Sequence, residues 1–260
     1  MLVDYNKRGT IILSSYRSGG TLLKAVIREY LGYKRHKCKD LGELHVELDS
    51  IFSTEVVNGI IETLYCDEAY SVCLLNNPLT VIALSKSSYF PNLVKNFNII
   101  YLERKDKEKS ILSLSLWEEF IETGLYSTRD NWTPEAMLEF HNKLIANPIP
   151  YNSIGLGIPY GFSTGKADQF LNSLLSVYCN NIYLLRSLAK SFNLHCLDYE
   201  TYENNAGILK HLYFKEESNK LKSIFNDLQK DRIPYVSENY LDYYDDTTRR
   251  IFKNWNINSI

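Results

Sequence analysis

The stretch "IILSSYRSGGTLLKAVI", Ile11 to Ile27, decides how this chain folds. A short apolar run, Ile11 to Leu13, has the look of a buried strand. It runs through a tight turn bearing Gly19 and Gly20 and emerges as an amphipathic helix. Ser18, Gly19, Gly20 and Thr21 would present successive backbone N–H groups at the start of that helix, where the helix dipole also favours an anion. Glycine lets a ligand approach the backbone closely. Arg17 adds a fork of donors, and Thr21 adds a hydroxyl. The turn is therefore a candidate phosphate cradle, set against the plainer reading of an ordinary strand-to-helix connection.

It is not a nucleoside-triphosphate loop of the usual spacing. GxxxxGK[ST] is absent, and "YGFSTGKA" further on fails because its first glycine sits one place too close and Ala follows the Lys.

Working outward, the first strand is expected over about 9–15 and its helix over 21–31. A polar stretch, "GYKRHKCKDLGELHVELD", leads to helical periodicity at 54–65. "LTVIALS" (79–85) and "NIIYLER" (98–104) are short, β-branched and apolar, the pattern of buried strands. The second feeds a helix whose Ile111, Leu112, Leu114, Leu116, Trp117 and Phe120 form a broad apolar face. Pro134 suits the first turn of another helix, and "PIPYNSIGLGIPYGFSTG" (148–165) is a long loop, a candidate lid or a plain surface connection. A helix over 166–192, a strand at "LHCLDYE" and a mostly helical tail complete the chain. Strand, helix and strand recur without repeats. That order implies one α/β domain over 1–260, a central parallel sheet flanked by helices, with ligands at the carboxyl ends of its strands.

Composition narrows the classes. Lys+Arg 29 against Asp+Glu 31 gives a net charge of -2, so no global basic field favours nucleic acid or an anionic membrane, and any anion site must be local. No run of about 18 apolar residues exists to insert in a membrane, and "MLVDYNKRGT" lacks the features of a secretion signal. A cytoplasmic protein is expected. Five scattered cysteines without a CxxC pair read as free thiols rather than as disulfides or a metal site.

The residues also carry a resemblance. "SSYRSGGTLL" resembles the 5′-phosphosulfate-binding loop of sulfotransferases that use 3′-phosphoadenosine 5′-phosphosulfate (PAPS), in the bacterial branch related to trehalose sulfotransferase. Tyr16 and Gly20 depart from that pattern. Gly20 removes one hydroxyl donor and leaves more to Thr21 and the backbone.

A second signature of the family is an Arg at the next major strand, then x-Asp, then a Ser nine residues after the Arg. "YLERKDKEKSILSLSLW" supplies Arg104, Asp106 and Ser113. A weaker match, "LHCLDYETY", is similar to the family's late strand ending in Tyr-Glu, with Tyr199 and Glu200 in structural roles.

The resemblance implies a P-loop-like sulfotransferase fold with Arg17, Ser18, Gly19, Gly20, Thr21 and Leu22 on the 5′ end of the donor. Arg104 and Ser113 would hold its 3′-phosphate, and no metal would be needed. Arg17 would also stabilise the leaving group. In related enzymes a carboxylate after the first helix acts as general base, which points to Glu43, with Asp40, His36, His45 and Glu47 as competitors. Lys86, at the end of "VIALSK", is the candidate to touch the sulfonate.

The implied activity is transfer of a sulfonate to a hydroxyl or amino group of a small-molecule or sugar acceptor. A catalytically inactive nucleotide-binding scaffold on the same fold is the alternative, followed by an atypical P-loop kinase. The aromatic tail "ENYLDYYDDTTRRIFKNW" suits packing either onto the domain or against a second copy in a homo-oligomer.

Overall fold

The computed structural model describes residues 6–15, 18–35, 38–43, 54–65, 70–111, 113, 134–148, 167–204, 218–230 and 240–254. Five parallel strands, β1 (Gly9–Ser14), β2 (Cys38–Glu43), β3 (Tyr70–Leu75), β4 (Phe97–Glu103) and β5 (His195–Asp198), form one sheet in the order β2-β3-β1-β4-β5. The helices are α1 (Gly20–Arg35), α2 (Thr54–Tyr65), α3 (Pro78–Lys86), α4 (Phe90–Asn96), α5 (Pro134–Ala146), α6 (Ala167–Ser191), α7 (Tyr199–Asn204), α8 (Ser218–Lys230) and α9 (Asp246–Asn254). Residues 107–111 and 113 are also helical. The architecture is thus α/β with an all-parallel sheet.

Strand order dictates which helix covers which face. Crossovers between parallel strands are right-handed, and β1 to β2 moves one way across the sheet while the next three connections move the other way. Alternate side chains then feed two cores. Ile12, Val72, Leu74, Ile100, Leu102 and Leu197 pack with Leu23, Val26, Ile27 and Tyr30 of α1 and with Ile224 and Phe225 of α8. Ile11, Leu13, Cys73, Leu75, Ile99 and Tyr101 pack on the opposite face with residues of α2, α3, α4 and α6.

The structure corrects one strand and adds two. Residues 79–85, expected as a strand, belong to α3: Asn77 caps it, its Oδ1 accepting from the Thr80 N–H (3.4 Å), and Pro78 takes the first helical position. Apolar β-branched composition alone does not separate a short buried helix from a strand, and the Asn-Pro start decides it. The strand lies just before, as "YSVCLL", with all six residues buried. β2 falls in the polar stretch read as connection. It is an edge strand paired only with β3, and its register slips between Asp40 and Glu43 around Gly42, so it needs no apolar run.

The chain divides into two compact units, residues 1–105 with 180–230, and residues 106–179 with 231–260. The first holds the sheet. In the second, the His141 ring of α5 lies 5.8 Å from that of Phe140 and 5.4 Å from that of Tyr243. Asp245 caps α9 through the Thr248 N–H (2.8 Å), and Arg249 Nε donates to the carbonyls of Leu241 (2.9 Å) and Tyr244 (2.7 Å). Tyr243 and Tyr244 are fully buried, so this part of the aromatic tail packs into its own chain. Among the described residues no helix is long and apolar enough to cross a membrane.

Candidate functional site

Because every strand is parallel, all five carboxyl ends open on one edge of the sheet. The connection leaving β1 runs toward β2 and that leaving β4 runs toward β5, so their carboxyl ends flank the point where the winding reverses. Such a point leaves a crevice, because the two following segments diverge to opposite faces. β1 and β4 are hydrogen-bonded neighbours in register, Ser14 beside Leu102. The turn after Ser14 and the segment after Glu103 therefore share this edge, and these are the two segments the sequence motifs singled out.

The turn is built for close approach. Gly19 has φ 79, a conformation that L side chains rarely adopt. Its carbonyl accepts the first helical bond, from the Leu23 N–H (3.1 Å). A Cβ at Gly20 would lie 2.6 Å from Leu74 Cδ1 and 3.0 Å from Ser14 Oγ, which explains why this chain has glycine where the resembling motif has serine. Leu74 fills the space, and the Ser14 hydroxyl stands beside it. Ser15 and Ser18 join their hydroxyls at 2.6 Å, bracing the two ends of the turn. No acidic residue occupies the first turn of α1, so its dipole is not offset by a carboxylate there. Thr21 is exposed, Leu22 half-buried and Ser18 buried.

Beyond β4, Arg104 stacks its guanidinium 4.8 Å from the centre of the buried Tyr199 ring at the start of α7. The Lys105 N–H donates to Glu200 (3.1 Å), and its ammonium pairs with Asp198 (2.6 Å), a bond that raises the ammonium pKa. Glu103 accepts from Arg186 of α6 (3.1 Å at Nε) and from the Tyr101 hydroxyl (3.0 Å). Burial first, then the Glu103 charge, pushes the Tyr101 phenol up from its ordinary value. Arg104 is thereby braced from β5 and α7 while it lies at the carboxyl edge.

Arg17, with Tyr16, lies outside the described residues, as do His36, His45 and Glu47. Asp40 and Glu43 belong to β2, with Glu43 its last residue. β3 lies between β2 and β1, which sets the backbone of Glu43 roughly 10 Å across the sheet from β1, on the strand spacing. Lys86 ends a helix, not a strand: about 12 Å of helical rise separates it from the start of α3. Ser113 is buried and helical, but it belongs to the second unit. Three features of the edge were not singled out as binding elements in the sequence: Ser15, the Tyr199 platform beneath Arg104 and the Arg186 anchor. The last two depend on residues distant in sequence coming together, whereas Ser15 meets Ser18 only three residues on.

Comparison of the chain with protein-family models, with curated proteins and with solved structures returns no match.

Proposed function

We propose that the chain is a PAPS-dependent sulfotransferase, on a P-loop-like sulfotransferase fold, acting on a hydroxyl or amino group of a small-molecule or sugar acceptor. One observation carries the reading. The two sequence signatures, the "SSYRSGGT" turn and the Arg104 segment, follow neighbouring strands at the winding reversal of one parallel sheet. The residues fit an anionic nucleotide donor, because Gly19 and Gly20 leave the backbone open and the dipole of α1 is not offset by acid in its first turn.

Bound there, the donor would supply an activated sulfonate; the rest of the catalysis falls to the chain. Amides of Ser18, Gly19, Gly20 and Thr21, with Arg17, would hold the 5′ phosphosulfate, and Arg104 the 3′-phosphate, by charge-assisted bonds. The resemblance adds Glu43 as proton acceptor and Lys86 as a sulfonate contact. Sulfonate transfer is a loose, in-line displacement like phosphoryl transfer, so alignment and charge neutralisation supply most of the rate. The chain would work in the cytoplasm, where thiols such as Cys73 stay reduced.

Calorimetric titration with adenosine 3′,5′-bisphosphate tests the reading. Binding, together with transfer from PAPS to an acceptor, is expected. Binding without turnover on any acceptor would favour the inactive scaffold, and magnesium-dependent ATP binding tighter than bisphosphate binding would favour the kinase. No bisphosphate binding overturns the proposal.

A further inference from the structure

Lys105 follows Arg104 at the carboxyl edge, and both cations are held over one short segment, the junction of β5 and α7. The Arg104 guanidinium stands over the ring of Tyr199. The Lys105 ammonium lies 2.6 Å from a carboxylate oxygen of Asp198, and the Lys105 N–H donates to Glu200. Asp198, Tyr199 and Glu200 are consecutive, so one stretch of chain fixes where both cations lie. Of the carboxylates around the ammonium, Glu103 is engaged by Arg186 and by the Tyr101 hydroxyl, and Glu200 by the Lys105 backbone. Asp198 is the carboxylate paired with it.

That pair is open to solvent. The Lys105 side chain is 66% exposed and that of Asp198 39%, so an anion reaches the ammonium without displacing any part of the core. An ion pair exposed at both ends contributes little to stability, because water screens it and two side chains must be held in place to form it. The fold therefore loses little when Asp198 gives up its partner. A phosphate monoester near neutral pH carries close to two negative charges, against one on a carboxylate, and presents three acceptor oxygens. Where two cations converge, it is the stronger partner.

We propose that Lys105 is a second cation for the 3′-phosphate of the bound nucleotide, and that Asp198 holds the place of that phosphate in the free protein. On binding, the ammonium leaves Asp198 for one phosphate oxygen, while Arg104 on its Tyr199 platform holds the others. This rests on the donor-nucleotide reading above and adds to it the ion pair that makes the site select a 3′-phosphorylated nucleotide. Asp198 is then a competitor of the ligand. Substitutions at the two ends of the pair should change affinity in opposite directions, whereas a pair that only braces the edge would give the same direction at both ends.

The test titrates adenosine 3′,5′-bisphosphate and adenosine 5′-monophosphate, which lacks the 3′-phosphate, into the wild type, Lys105→Met, Asp198→Asn and the double variant. Thermal midpoints of the free chains are recorded alongside, and Asn keeps the shape of the Asp198 side chain. Lys105→Met should bind the bisphosphate about fivefold or more weakly, the scale of a lost charge-assisted bond. Asp198→Asn should bind it about threefold or more tightly, since the competing carboxylate is gone. In the double variant that gain should be largely lost, because the competition acts through the ammonium. The monophosphate should bind all of these chains within about twofold of one another.

A Lys105→Met chain that binds the bisphosphate like the wild type overturns the inference. So does an Asp198→Asn chain that binds it no more tightly, a gain that persists in full without Lys105, or an equal change for the monophosphate. Each of these leaves the sulfotransferase reading standing, because the wild type still binds the bisphosphate. A wild type that does not bind it overturns both.

Discussion

The two edges of the same sheet are built from different parts. At the amino edge every group named here is consumed by the fold. Tyr70 shares its hydroxyl with Thr10 (2.7 Å) and Asn98 (2.9 Å), and Asn98 also donates to the Gly9 carbonyl (3.3 Å). Lys7 donates to the carbonyls of Val94 (2.9 Å) and Phe97 (3.1 Å), and Arg8 lies over the Tyr65 ring at 5.2 Å. At the carboxyl edge the chain instead holds a positive-φ glycine, a turn with no room for a side chain and an arginine supported from below by an aromatic ring. An edge closed by its own hydrogen bonds stabilises the fold. The edge with the glycine turn and the ring-supported arginine is where the proposed donor would sit.

Substitutions can break or sharpen this contrast. The largest expected effect is at Arg104. Arg104→Ala should weaken binding of adenosine 3′,5′-bisphosphate by about 2 kcal/mol or more, roughly 30-fold, by calorimetry. The cost in stability should be smaller, on the order of 1 kcal/mol, for the lost ring contact. A large drop in thermal midpoint with unchanged affinity would make the carboxyl edge as structural as the amino one.

Tyr70→Phe is the mirror experiment. Removing the shared hydroxyl leaves Thr10 and Asn98 short of a partner and should lower unfolding free energy by about 1–3 kcal/mol in denaturant titrations, with bisphosphate affinity within about twofold of the wild type. A change in affinity instead would tie the two edges together.

Gly19→Ala places a Cβ on a left-handed backbone and should cost about 1–2 kcal/mol of stability. It should also weaken the bisphosphate, because the same amides line the turn. Loss of stability alone would show that the turn serves the fold and not the ligand.

A smaller effect concerns acid. Burial holds His195, the first residue of β5, and His141 in the second unit below the ordinary histidine pKa. The unfolded chain therefore takes up protons near pH 6.5 while the folded chain does not, and stability should fall as pH drops from 7 toward about 5.5. His195→Gln should flatten that slope, measured as thermal midpoint against pH; an unchanged slope would assign it elsewhere. Smallest of all is Lys105→Met. Its pairing with Asp198 is exposed at both ends, and no resolvable change in thermal midpoint is expected. A clear drop would mean that the brace beside Arg104 matters to the fold itself.

How much of this was legible in the sequence varied with the signal. The helices 54–65 and 167–191 stood out by the spacing of an apolar face, and the strands β1 and β4 as short apolar runs buried on both faces. β2 did not, since an edge strand with a register slip needs no apolar pattern. Residues 79–85 misled because burial on a helix and in a strand select the same side chains. The glycine turn was legible as a tight strand-to-helix connection. The reason for Gly20 was not, as it depends on Leu74 of a different strand.

By itself, then, the sequence determined the alternation of strand and helix, a parallel sheet, and two strand-to-helix junctions with donor-rich chemistry. Those properties are short-range, governed by side-chain period and backbone freedom over a few residues. Only the tertiary structure decided the order β2-β3-β1-β4-β5 that makes those junctions neighbours and the placement of Tyr199 under Arg104. These follow from crossover handedness and core packing between segments far apart in the chain, which no local pattern encodes.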